Sequence, residues 1–253
     1  MTTIRSGSPA RGDDPATPRT IDLETVLSLY REHADALGAA RDAQRALLRS
    51  NRGLRPKLDD IEAELTYLLV RDTKPERIVE IGTFHGWSTS WLLRALADNG
   101  TGHLHSYDIV DHVLGTIPGE LSADRWTFHH GDVRAAANLR PSRIDFLFID
   151  AAHTARFARW YVDNLLADLR PGTPVTVHDV YHRRTAGRFS EGRVVLDWLA
   201  RRGDGHFTAS ARAAPQAFRE ISAVKRALGL GEVVHQAAPN PMIYFAPTSV
   251  SRD

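Results

Sequence analysis

The chain has 253 residues, 42% of them apolar and 25% charged, with 32 basic residues against 31 acidic ones and a formal net charge of +1. Such a mix can fill a core, which excludes wholesale disorder, and no apolar run approaches the roughly 18 residues of a membrane-spanning helix. The charge balance gives no footprint for a nucleic-acid partner, and the lack of cysteine excludes disulfides, thiolate zinc sites, iron–sulfur clusters and a cysteine nucleophile.

Residues 1–20, rich in Ser, Pro, Gly and Asp, read as a disordered tail. They carry no apolar stretch of the kind a secretion signal needs, so a cytoplasmic protein is expected. From residue 21 to 49 the apolar positions Leu23, Val26, Leu27, Tyr30, Ala34 and Leu37 recur at helical spacing, with Asp22 as N-cap. The stretch Ser50-Asn-Arg-Gly-Leu-Arg-Pro56 breaks the pattern. Residues 21–57 therefore read as a helical cap or a dimer arm. A second helix is expected from about Asp59 to Val70.

From Glu76 short apolar runs alternate with helical segments. Strands are expected at Arg77–Ile81, His103–Tyr107, Trp126–His129, Ile144–Ile149 and Pro174–His178. Helices are expected at Trp87–Ala97 and from about Ala155 to Leu169. The alternation predicts a doubly wound α/β fold with a mostly parallel sheet, whose ligands bind beyond the carboxyl ends of the strands. Further on, Val194–Leu199 and Phe218–Leu228 read as helical and Asn240–Phe245 as a final strand. Residues 58–253 form the expected main domain, with 181–240 as its substrate-pocket segment.

The sharpest motif runs Glu80-Ile-Gly82-Thr-Phe84-His85-Gly86-Trp87-Ser88 between the first strand and the following helix. Gly82 permits a tight turn, Gly86 a close approach to the main chain, and Ser88 sits where free N–H groups favour an anion. Position 84 is Phe, so the dinucleotide fingerprint G-x-G-x-x-G is broken, and the G-K-[ST] of a P-loop is absent. Asp108 ends the second strand, where a carboxylate can accept from both hydroxyls of a ribose. Asp132 follows the third strand, where it could accept from an adenine amine. Either acid alone could serve as a helix cap.

These motifs resemble the class I S-adenosylmethionine-dependent methyltransferases over about residues 58–180 plus the final strand. More narrowly, they resemble the small-molecule O-methyltransferase branch that includes catechol-type and antibiotic-tailoring enzymes. The pattern E-x-G-x-x-x-G-x-S falls on Glu80, Gly82, Gly86 and Ser88. I-D-x-x-H falls on Ile149, Asp150 and His153, and H-D-V on His178, Asp179 and Val180. In L-x-P-G-G the second glycine is lost, at Leu169-Arg-Pro-Gly-Thr173. The resemblance implies a Rossmann-like seven-stranded sheet with helices on both faces. It implies S-adenosyl-L-methionine held by Glu80, Gly82, Phe84, Gly86, Ser88, Asp108, Asp132 and Asp150. It implies methyl transfer to a hydroxyl of a small molecule, as in bacterial secondary metabolism, with His153, Asp150 and Asp179 carrying the chemistry.

In metal-dependent relatives, acids at the positions of Asp150 and Asp179 hold a divalent cation, usually magnesium. Here His178 stands where those relatives often carry an acid, which suits manganese, iron or zinc better than magnesium. The alternative is that Asp150 bonds backbone or cofactor and no metal binds. His153 suits general-base work because its ordinary pKa is near ~6.5, though it could equally cap its helix or orient Asp150. Two other chemistries share the fold: methylation of an amine, which when already neutral needs less base and no metal, and nicotinamide-dependent oxidoreduction. A non-catalytic module is a third reading. A small-molecule substrate and self-association into a homo-oligomer complete the expectations, with no nucleic-acid or membrane partner.

Overall fold

The computed structural model describes residues 20–235 and 241–248. The expected tail, except Thr20, lies outside the described residues, as does Asn240 of the final strand. Six strands form one sheet: β1 (Arg77–Ile81), β2 (His103–Asp108), β3 (Trp126–His130), β4 (Phe146–Ile149), β5 (Val175–Val177) and β6 (Ile243–Phe245). Their order is β3-β2-β1-β4-β5-β6, with β6 alone antiparallel, against β5.

The sheet is buried on both faces, and its strands alternate between two cores. Ile78, Leu104, Phe146, Phe148 and Tyr244 belong to one apolar cluster, and Val79, Tyr107, Leu147, Ile149 and Phe245 to the other. This is the period of two that a strand imposes. The first core is closed by α1 (Leu23–Glu32), α2 (Ala34–Ser50), α3 (Asp60–Thr73), α4 (Trp87–Asn99), the one-turn α5 (Gly119–Ser122) and α8 (Pro215–Ala227). The second is closed by α6 (Ala155–Asn164) and α7 (Glu191–Arg202).

Among the described residues the sheet has six strands rather than the expected seven. The place of the missing strand is held by one residue: Phe207 and Tyr244 exchange two backbone hydrogen bonds of 2.7 and 2.9 Å across an isolated antiparallel bridge. Gly203 and Gly205 precede this residue, and Pro241 and Pro247 bracket β6. Glycine and proline both shorten a ladder, the first through entropy and the second by removing a donor.

The run from residue 21 folds as two helices broken at His33. Asp22 caps the first by accepting from the Thr25 N–H at 2.9 Å. Asp59 and Glu62 form a reciprocal capping box at the start of α3. Residues Ile61 to Val70 of α3 are buried without a break, so α3 lies inside the first core. A buried polar knot ties these N-terminal helices to α8: Glu64 pairs with Arg41, accepts from the Tyr30 hydroxyl at 2.8 Å and meets Lys225 Nζ at 2.7 Å. Burial pulls the Lys225 pKa down to about 8.

Candidate active site

The carboxyl ends of β1, β2, β4 and β5 open into a cavity of about 810 Å³, a ligand-sized cleft. Gly82, Phe84, Asp108, Asp132, Asp150, His153, His178 and Asp179 all stand on its wall. Three of them, Phe84 (φ 45°), His153 (φ 43°) and Asp179 (φ 61°), hold left-handed backbone although they are not glycines. Such strain concentrates at functional sites, where surrounding contacts overrule local preference.

The β1 and β2 ends form a rigid cradle. Gly82 (φ 91°) passes so close to β4 that a Cβ there would collide with the carbonyl oxygen of Asp150. Asp108 Oδ2 accepts from the Thr83 N–H (2.7 Å), the Thr83 hydroxyl (3.0 Å) and the Phe84 N–H (2.9 Å), and Oδ1 accepts from the Val110 N–H (3.1 Å). The carboxylate thus fixes the turn after β1 while facing the cavity. Ile109, 71% exposed, and Phe84, 42% exposed, are apolar surfaces at the same rim. Asp132 is held by Arg134 through both carboxylate oxygens, which keeps its pKa below the ordinary value.

Glu80, Gly86 and Ser88 stand behind the cavity, and none of them lines it. Glu80 is fully buried behind the wall. It accepts from the hydroxyls of Ser88 (2.6 Å), Thr89 (2.9 Å) and Ser106 (2.6 Å), and so clamps α4 to β2. Burial pushes its pKa up to about 7 against the pull of those three donors. Gly86, at φ 83°, starts α4 where a Cβ would meet Thr116 and Ile117. These three residues shape the turn from behind.

The β4 and β5 ends carry the titratable groups. His178 lies buried between three carboxylates: its Nδ1 is 3.1 Å from Asp150 Oδ1 and 3.2 Å from Asp179 Oδ1, and its Nε2 is 3.3 Å from Glu62 Oε1. Burial opposes its protonation, but the charges of Asp150 and Glu62 prevail and raise its pKa well above the ordinary value. Burial also works against the Asp150 charge, and the His178 cation overcomes it, holding that carboxyl below its usual range. His153 Nε2 points at Asp179 Oδ2 (3.3 Å) and Asp150 Oδ1 (3.5 Å), and its Nδ1 meets Glu191 Oε2 at 3.2 Å. Desolvation lowers the His153 pKa, yet the bond to Glu191 and the charges of Asp179 and Asp150 outweigh it and raise the value.

This geometry corrects the expected metal set of Asp150, His178 and Asp179. Among the described residues no group of three or more His, Asp or Glu side chains is arranged to hold a metal ion. The reason is local: Asp150 and Asp179 turn their oxygens onto imidazole nitrogens, so donors and acceptors face each other instead of a common point.

Sequence reasoning missed Lys57, Glu62 and Glu191. Lys57 lines the cavity and stands over the Phe84 ring, 5.4 Å from its centre. Asp59 and Glu62 form the capping box of α3, and nothing in that spacing tells that Glu62 Oε1 faces His178 from 116 positions earlier in the chain. Glu191 follows the N-cap Ser190 and looks like an ordinary first-turn acid.

Residues 79–180 match the family model described as a methyltransferase domain. The matched stretch runs from within β1 to just past β5 and contains every carboxylate and histidine that lines the cavity except His182. No curated protein sequence matches the chain. Among solved structures, the domain and its flanking helices are similar to an O-methyltransferase from Bacillus cereus in complex with SAH, at 16% identity and a TM-score of 0.53, covering 89% of this chain and all of that one. They are also similar to the O-methyltransferase TomG from Streptomyces achromogenes, involved in tomaymycin synthesis and solved with SAM. That match has 18% identity and a TM-score of 0.52, covering 90% and 89% of the two chains. At such identities the likeness is one of fold.

Proposed function

We propose that the protein transfers a methyl group from S-adenosylmethionine to a hydroxyl of a small molecule, with His153 as the base. The observation that carries this is the placing of His153 Nε2 on the cavity wall, beside Asp150 and Asp179, within the stretch that matches a methyltransferase domain model. Bound S-adenosylmethionine supplies an activated methyl on sulfur, which leaves as the sulfur recovers the bonding pair. The residues present fit that molecule: a carboxylate at the tip of β2 for hydroxyls, apolar Ile109 and Phe84 beside it, and a cleft of sufficient size.

The chain's own part is to hold two reactants at attack distance and move one proton. The Asp108 cradle orients one reactant. At the other end His153 Nε2 takes the proton of the acceptor hydroxyl as its oxygen bonds to carbon. Asp150 and Asp179 then stabilise the imidazolium formed, which makes His153 a stronger base than a free histidine. A hydroxyl has such a proton to lose, and a neutral amine need not lose one before attack. The base therefore favours O- over N-methylation. His178, whose pKa the charges of Asp150 and Glu62 raise, stands among these acids on the same wall.

Titration calorimetry with S-adenosylhomocysteine, with and without prior chelation, tests the reading. The expected result is micromolar binding in both conditions. Absence of binding overturns it.

A further inference from the structure

Glu191 lies behind the cavity wall, 2% exposed, and reaches His153 from a separate element. Its Oε1 accepts from the hydroxyl of Tyr161, at 2.9 Å, and its Oε2 stands 3.2 Å from His153 Nδ1. Tyr161 is itself fully buried on α6. The three side chains thus form a line from the second core to the cavity: Tyr161, Glu191, His153.

The backbone holds this line in place. Thr154 and Ser190 form an antiparallel bridge, which joins the segment after His153 to the start of α7. Both residues are also N-caps, Thr154 of α6 and Ser190 of α7. Gly192 lets the first turn of α7 lie directly on the end of β5, since a Cβ there would come within 2.9 Å of three atoms of Val180. Glu191 sits in that first turn, where free N–H groups favour its negative charge. His153 meanwhile keeps left-handed backbone, a conformation that needs support from outside its own segment.

We propose that Glu191, fixed by Tyr161, is the positioning residue of the site: it binds the Nδ1–H of His153 and so leaves the Nε2 lone pair facing the cavity. His153 Nε2 also lies 3.3 Å from Asp179 and 3.5 Å from Asp150, but the ring's one carboxylate contact with hydrogen-bond geometry is that of Nδ1 with Glu191; a carboxylate only accepts, so that bond places the proton of a neutral His153 on Nδ1. Without that bond the ring is free to turn over or to carry its proton on Nε2, and in either case the lone pair leaves the acceptor. The inference rests on the reading of His153 as the base, but its test does not.

The test is the nitrogen-15 spectrum of the His153 side chain in the full-length protein at alkaline pH, where the ring is neutral, assigned by its loss in His153→Gln. The wild-type ring is expected as the Nδ1–H tautomer with a slowly exchanging proton. In Glu191→Gln that signature is expected to give way to a mixture of tautomers with fast exchange, while S-adenosylhomocysteine binding stays unchanged. Tyr161→Phe, a milder change, is expected to move the spectrum the same way by a smaller amount. An unaltered His153 spectrum in folded Glu191→Gln overturns the proposal. If that variant does not fold, an unaltered spectrum in Tyr161→Phe overturns it. Failure of His153 as a base would appear separately, as turnover that survives its removal.

Discussion

The two ends of the cavity are built from the same kind of acid and put it to opposite use. At the β1 and β2 end, Asp108 and Glu80 are satisfied by backbone N–H groups and hydroxyls, donors that do not titrate in the physiological range. At the β4 and β5 end, Asp150 and Asp179 are satisfied by the imidazoles of His153, His178 and His182. The donors of the first arrangement keep their protons across that range. The second can exchange protons, which is what proton removal from an acceptor requires. Carboxylates alone therefore say little about a site, and the partners decide whether it is a cradle or an acid–base pair.

The largest expected effect breaks the titratable end. His153→Ala is expected to cut turnover by ~10²-fold or more with cofactor affinity retained. An equal rate in a folded variant would remove His153 from the chemistry. The wild-type rate is expected to rise with pH and to reach half its maximum above the ordinary histidine value of ~6.5. The base must be neutral to act, and the hydrogen bond to Glu191 and the charges of Asp179 and Asp150 hold its proton on. Asp179→Asn is expected to move that midpoint down in a pH–rate profile.

The rigid end answers to a smaller change. Asp108→Ala removes an acceptor from the cavity and also releases the Thr83 and Phe84 N–H groups. Binding of S-adenosylhomocysteine is expected to weaken by about 1–3 kcal/mol, read by calorimetry, with the pH–rate midpoint unmoved. A midpoint that moved with Asp108 would erase the distinction between the two ends.

The smallest effect concerns stability. Glu80 has its pKa raised by burial to about 7 in the folded protein, against 4.5 for the ordinary group. Between those values the unfolded chain has released a proton that the folded one keeps, so stability falls as pH rises through that window. Thermal unfolding from acid to neutral pH should show this slope. Glu80→Gln, which cannot titrate, is expected to flatten it.

Much of the fold was legible in the chain. Short β-branched and aromatic runs alternating with helical segments specify a parallel sheet, because such strands are buried on both faces and such helices on one. Asp22 announced its helix through capping chemistry that is local in sequence. The sixth and last strand was visible in Ile243–Phe245, but the single bridge at Phe207 was not, since one paired residue leaves no periodic signal.

By itself, then, the sequence determined what depends on near neighbours: the elements, their order, and the acids and histidines that must end strands at one edge of the sheet. Only the tertiary structure decided what those side chains do. It turned Glu80 and Ser88 inward, where burial makes each the other's partner instead of a ligand's. It brought Glu62 from α3 to His178 and Glu191 from α7 to His153. An ion pair forms between atoms a few ångströms apart, whatever the number of residues between them, and that distance is set by how helices pack on a sheet.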